Sequence, residues 1–188
     1  MQKKIKDDRL LIKGKHVILR RLKVSDANQR YLRWMRDGEV KQFLESRFET
    51  LSLSKLRNYI RRINSDSNFL FFAIIYRVTG EHIGNIKLGP INRSHKFGDL
   101  GILIGEKNFW GKGLASEAIK LVADYSFNRL KLHKLTAGAY SNNIGSIKAF
   151  KKAGFTVEGR RKSQFKYKGV YIDGMLLGLV SHENIYLD

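Results

Sequence analysis

Gly111 and Gly113 flank Lys112 in the run FWGKGLASEAIKLVADYSF, and the pattern turns helical at the next residue. Glycines at a helix entrance bare the backbone, and the first amides of a helix lack intrahelical partners, so such a segment offers N–H groups to an anion. Holding a phosphate is the chemistry that suits it. A Walker A loop is excluded, because five residues separate Gly105 from Gly111 and Lys112 is followed by Gly113 instead of Ser or Thr. A dinucleotide fingerprint fails too, since Ser116 stands where its third glycine belongs. What remains is a strand, a glycine turn and a helix N-terminus whose amides point at a pyrophosphate, or a tight turn with no ligand. The chain has no cysteine, which removes thiolate chemistry, and its five histidines form no close ligand pair, so no metal site is expected.

The elements around that loop follow from periodicity. HVILRRL alternates as a strand, Ser25 is placed to cap a helix carrying Tyr31, Trp34 and Met35, and Leu56, Tyr59, Ile60 and Ile63 mark a second helix. NFLFFAIIY and HIGNIKLG read as a hairpin of buried strands closed by Pro90, the sole proline. DLGILIG leads as a strand into the glycine loop and a helix with Ala118, Leu121, Val122 and Tyr125 on one face. HKLTAGAY is a strand, NIGSIKAFKKA a helix ended by Gly154, and FTVEGRRKS and VYIDGMLLGLV the closing strands. The order βααβββαβαββ over 188 residues predicts a single α/β (α+β) domain, residues 1–188, with a mixed central sheet flanked by helices. A formal charge of +19 attracts polyanions without choosing among them. No apolar run is long enough for a signal peptide or a membrane span, so a cytoplasmic location with no membrane contact is expected.

Three segments, FWGKGLASEA, HKLTAGAYSNNIGSIKAFKKAGF and EGRRKSQFKYKGVYIDGMLLGLV, in this order and spacing, resemble the GNAT superfamily of acetyl-CoA-dependent N-acetyltransferases. The likeness points to the branch of the RimJ/RimL ribosomal-protein acetyltransferases and related amino-sugar and diamine enzymes. It implies that amides of Gly111, Lys112, Gly113, Leu114 and Ala115 hold the pyrophosphate of acetyl-CoA. It also implies that strand residues Ile102, Leu103 and Ile104 pair with the pantetheine arm, and that Asn143 and Ser146 sit beside that arm. Asn108 stands where the family's Gln or Arg is expected, three residues before the first glycine. Asn143 also reads as a helix N-cap, and the two roles coexist.

Acetylation of an amine requires a base, because a lysine-like amine has a reference pKa of about 10.4 and an α-amine about 8. By resemblance, the amide of Leu103 stabilises the oxyanion. Asp99 and Glu106, at the two ends of that strand, are the candidate bases, with Asp99 favoured. Many relatives place a tyrosine acid where this chain has Phe150, and Tyr140 is the nearest replacement, with unassisted loss of the thiolate as the alternative. Trp34, Phe43, Arg47, Phe48 and Glu49 lie in the first two helices, which wall the acceptor site in this family, and Arg47 is placed to grip a phosphate or carboxylate. The acceptor is then a small amino compound, such as a nucleotide-linked amino sugar, or a ribosomal-protein N-terminus. Ribosome contact and a homodimer stay open as partners. The competing reading is a basic RNA- or ribosome-binding module with a vestigial acetyl-CoA site.

Overall fold

The computed structural model describes residues 10–181. In chain order they form strands β1 (Leu11–Lys13) and β2 (Val17–Arg21) and helices α1 (Gln29–Arg36), α2 (Gly38–Lys41) and α3 (Leu53–Ser65). Strands β3 (Leu70–Tyr76), β4 (His82–Asn92) and β5 (Phe97–Ile104) come next. Helix α4 (Leu114–Asn128), strand β6 (Lys134–Tyr140), helix α5 (Ile144–Lys152) and strands β7 (Thr156–Tyr167) and β8 (Val170–Val180) complete the order. One mixed sheet runs β1-β2-β3-β4-β5-β6-β8-β7. Every pairing is antiparallel except that of β5 with β6.

Side chains alternate across a strand, so β3 serves two cores. Phe72 and Ile74 pack with Leu19, Ile86, Ile119, Val122 and Phe150 on the α4/α5 face. Phe71 and Ala73 pack with Tyr31, Trp34, Leu56 and Ile60 on the α1/α3 face. Each fully buried side chain of this size contributes about 1.5–3 kcal/mol. Polar caps set where the helices begin. Asn28 accepts from the N–H of Tyr31 at 3.1 Å to start α1, and Ser52 accepts from Lys55 at 3.2 Å to start α3.

Three details differ from the periodic reading. Ser25 lies in a 3-10 turn, Val24–Asp26, and Asn28 caps α1 instead. The short elements β1 and α2 add a strand and a helix to the expected order. Pro90 does not close its strand: β4 runs through it to Asn92, and the register against β5 shifts between Leu88 and Ile91. Such an irregularity is one of the few places where a proline fits in a sheet.

Candidate active site

Strands β5 and β6 pair only over Phe97–Asp99 and Lys134–Thr136. Beyond that point β6 stays paired with β8 as far as Tyr140, and β5 stays paired with β4, so the two strands part and leave a gap through the sheet. Peptide groups along a strand turn to alternate sides. Gly105 donates its N–H to Ile83 O at 2.9 Å, so the odd-numbered residues at this end of β5 face β4. Ile102 and Ile104 therefore turn their amides and carbonyls into the gap, just past the last pairing of Asp99 with Thr136. Ile104 O is taken by the indole N–H of Trp110 at 2.8 Å. Ile102 is left with donor and acceptor both facing the opening, an unpaired strand edge that suits an amide-bearing arm.

On the α4/α5 face the gap opens toward the glycine loop. Gly111 has φ 74° and Gly113 φ 77°, the left-handed region that favours glycine. Gly113 takes the N-cap position of α4 without any side-chain cap, and the first intrahelical bond runs from Glu117 N to Gly113 O at 3.1 Å. The amides of Leu114, Ala115 and Ser116 thus precede the helix's own hydrogen bonding, and nothing lies within 4 Å of where a Cβ on Gly111 would stand. Lys152 Nζ, at the end of α5, comes within 3.7 Å of the corresponding point on Gly113. Glu117 fixes the loop from behind by accepting from the backbone N–H of His16 at 2.7 Å and Val17 at 3.2 Å. Bare amides, a helix N-terminus and a lysine form a cradle that fits a pyrophosphate.

On the α1/α3 face the same cleft, about 1580 Å³ in all, widens over Gly101 and Gly138. A Cβ on either glycine would meet nothing within 4 Å. Asp99, two residues before Gly101 on β5, is exposed and outside the cleft lining, and Thr136 donates to its carboxylate at 2.9 Å. Desolvation raises the pKa of Asp99, while the Thr136 hydrogen bond and the charge of Lys87 pull it down. Tyr140 accepts from Arg47 Nη1 at 2.6 Å and donates its hydroxyl proton to Glu45. Its pKa is raised, first by desolvation and then by the Glu45 hydrogen bond.

The sequence from residue 16 to 156 matches the family model described as an acetyltransferase (GNAT) domain. The chain belongs to the GNAT acetyltransferase family. Among GNAT relatives, the probable N-acetyltransferase YjcK of Bacillus subtilis is 30% identical, covering 93% of this chain and 99% of its own. The spermidine N(1)-acetyltransferase of Escherichia coli is 30% identical over 84% of this chain and 78% of its own. Among solved structures, the ribosomal alpha-N-protein acetyltransferase RimL in complex with coenzyme A superposes with a TM-score of 0.81 at 16% identity, covering 91% of this chain and 98% of that one. The GNAT family uses acetyl-CoA, and the cradle and strand edge described above have the chemistry to hold it.

Within this GNAT site the sequence-derived residues separate. Gly111, Gly113, Leu114, Ala115, Ile102, Asn143 and Ser146 converge on one cleft. Asn143 caps α5 by accepting from Ser146 N at 3.2 Å. Lys112 points its ammonium over the Phe109 ring, 5.5 Å from the centroid. Asn108 is exposed and outside the cleft lining, which takes Trp110 from the same turn. The Leu103 peptide faces β4, where its carbonyl oxygen would come within 2.2 Å of a Cβ on Gly84, so the amide available at the gap is that of Ile102. Trp34 is 4% exposed and donates its indole N–H to Glu106 at 3.0 Å, which removes both residues from the cleft. Arg47 is spent on structure: besides Tyr140 it donates to Leu44 O at 2.9 Å and Lys166 O at 3.1 Å, strapping the 3-10 turn Glu45–Phe48 to the β7–β8 hairpin. Phe43 stacks on Tyr167 in the same strap, and both Phe43 and Glu49 line the cleft. Phe48 is 71% exposed and outside the lining. Phe150 is 1% exposed against Phe155 and has no hydroxyl to offer. The sequence reading passed over Lys152, Asn85, Lys87, Gly101 and Gly138. Asn85 and Lys87 carried a usable signal, because polar residues two apart in an apolar strand share a face.

Proposed function

We propose that this chain transfers an acetyl group from acetyl-CoA directly to the primary amine of a small acceptor seated over Gly101 and Gly138. The observation that supports it is the gap between β5 and β6, which joins a phosphate cradle on one face of the sheet to a glycine-floored hollow on the other. When bound, acetyl-CoA supplies a thioester whose carbonyl carbon accepts the amine and whose sulfur leaves. The amides of Gly111 to Ala115, with Lys152, hold the phosphates, and the Ile102 peptide aligns the arm. The Ile102 N–H, free at the gap, offsets the charge that develops on the carbonyl oxygen. Asp99 takes the amine's proton, which its elevated pKa favours. Phe150 cannot donate and the Tyr140 proton is committed to Glu45, so the thiolate departs to solvent.

The hollow is walled by α3 and by the strapped turn Glu45–Phe48, a shape that favours a small molecule over a protein N-terminus. The likeness to RimL rests on fold alone at 16% identity, and the RimJ/RimL branch supplies the alternative acceptor, a ribosomal N-terminus. Titration calorimetry with acetyl-CoA tests the reading. Wild type is expected to bind at micromolar levels, and Gly113→Glu to lose binding through bulk and negative charge in the cradle. Lys152→Ala is expected to weaken binding about fivefold, the worth of roughly 1 kcal/mol for one charge pair in water-like surroundings. No heat at millimolar coenzyme would refute the proposal.

A further inference from the structure

The hollow has one wall made of donors. His82 Nε2 lies 3.0 Å from Gly84 O and 2.9 Å from Asn85 Oδ1. A backbone carbonyl can only accept, so Nε2 carries the proton, and Asn85 must present its oxygen to it. That orientation sends Asn85 Nδ2 the other way, where it is buried and meets no partner, in a residue 3% exposed that lines the cleft. A buried amide hydrogen left without an acceptor is costly, and a ligand oxygen at this point removes the cost. Two residues along the strand, Lys87 Nζ donates to the Tyr59 hydroxyl at 3.0 Å and forms no ion pair among the described residues. Tyr59, as the acceptor of that bond, keeps its own proton to donate. Arg62 stands one turn further on α3, its guanidinium 5.6 Å from the Tyr59 ring centroid, and also lines the cleft.

Carboxylates stand around this wall, but none forms an ion pair with it among the described residues. Glu39 pairs with Lys107 at 3.0 Å and Glu45 accepts from Tyr140, Glu49 lines the cleft, and Asp99 feels the charge of Lys87. Asn85, Lys87, Tyr59 and Arg62 themselves offer hydrogens and positive charge to the hollow. A polyamine, itself all donors and positive charge, finds no anionic partner among these four residues, whereas a carboxylate or phosphate satisfies each of them.

Building on the acetyltransferase reading, we propose that Asn85, Lys87, Tyr59 and Arg62 form an anion subsite, and that the acceptor is a small primary amine bearing a carboxylate or phosphate group.

Thiol release from acetyl-CoA is followed with propylamine, 1,3-diaminopropane, 3-aminopropanoate and 3-aminopropylphosphonate, and with glucosamine against glucosamine 6-phosphate. The anionic member of each set is expected to show kcat/KM at least about tenfold above its neutral or cationic counterpart. The two anionic three-carbon compounds tell carboxylate from phosphate. Lys87→Gln and Arg62→Gln are expected to bring those ratios to within about threefold while calorimetric binding of acetyl-CoA is retained. A second readout is independent of turnover. With the phosphate cradle saturated by coenzyme A, millimolar 3-aminopropylphosphonate is expected to raise the melting temperature of wild type and not of Lys87→Gln. Normal coenzyme binding with a preference for the diamine, or no melting shift with either anionic compound, overturns the anion subsite alone. Absence of acetyl-CoA binding overturns the acetyltransferase reading itself.

Discussion

Replacing Gly138 by valine separates folding from function more cleanly than a change to a charged residue. Gly138 lies in β6 opposite Leu176 of β8, and it is not among the glycines with positive φ. A side chain there meets no atom within 4 Å of its Cβ, so no clash opposes it. Glycine inside a strand costs about 0.5–1 kcal/mol relative to alanine, and β-branched residues favour strands on a scale that spans about 1 kcal/mol. The variant is therefore expected to be as stable as wild type or up to about 1 kcal/mol more so, a rise in melting temperature of about 2–4 °C for a chain of this size. Its isopropyl group nevertheless occupies the floor of the hollow. A displacement of the acceptor by about 1 Å costs on the order of a hundredfold in rate, so kcat/KM for the amine is expected to fall by about that factor. The dissociation constant for acetyl-CoA should change by less than about threefold. Scanning calorimetry, titration calorimetry and thiol release on one preparation read all three quantities. A variant with raised melting temperature and undiminished kcat/KM would refute the placement of the acceptor over Gly138.

Proton handling and the buried indole give two further tests. If Asp99 is the base, its carboxylate is the active form, so kcat/KM rises with pH through its pKa, and desolvation sets that limb above the range of an ordinary aspartate. Thr136→Val removes a hydrogen bond that favours the charged form and is expected to move the limb to higher pH, and Asp99→Asn to abolish it. Profiles that match wild type for both variants, measured with the same acceptor, would remove Asp99 from the mechanism. Trp34→Phe deletes the hydrogen bond to Glu106 and part of the ring packed against Gly105, and is expected to cost about 1–3 kcal/mol in urea denaturation. The folded variant should keep its acceptor KM, and an increase beyond about threefold would return Trp34 to the acceptor site.

What could be read from the sequence was what local pattern encodes. The glycine pair, the helix behind it and the Asn143 cap depend on neighbours a few residues apart, and these converge on the cleft. Strand β1, three residues long, and helix α2, four residues long, are too short to carry a period. Pro90 was read as punctuation because the register shift that absorbs it depends on how β4 meets β5. Trp34 and Arg47 have residue types that suit an acceptor site, but their partners, Glu106 and Tyr140, lie 72 and 93 residues away. Side-chain direction over such separations is set by packing, which no spacing rule reports. The peptide of Leu103 shows the same limit at finer scale: one residue of strand register decides whether an amide faces β4 or the gap.

The brief parallel seam between β5 and β6 has a consequence for the sheet as a whole. Strands β1–β5 and strands β6–β8 form two antiparallel halves stitched along Phe97–Asp99 and Lys134–Thr136. Past the last stitch the backbone forgoes hydrogen bonds that a continued ladder would make, and on the proposed reading the coenzyme's arm takes them up. Stability and turnover are thus set against each other along this line. A variant that zipped the two halves together for two or three more residues would gain rigidity by closing the gap that the proposed transfer requires.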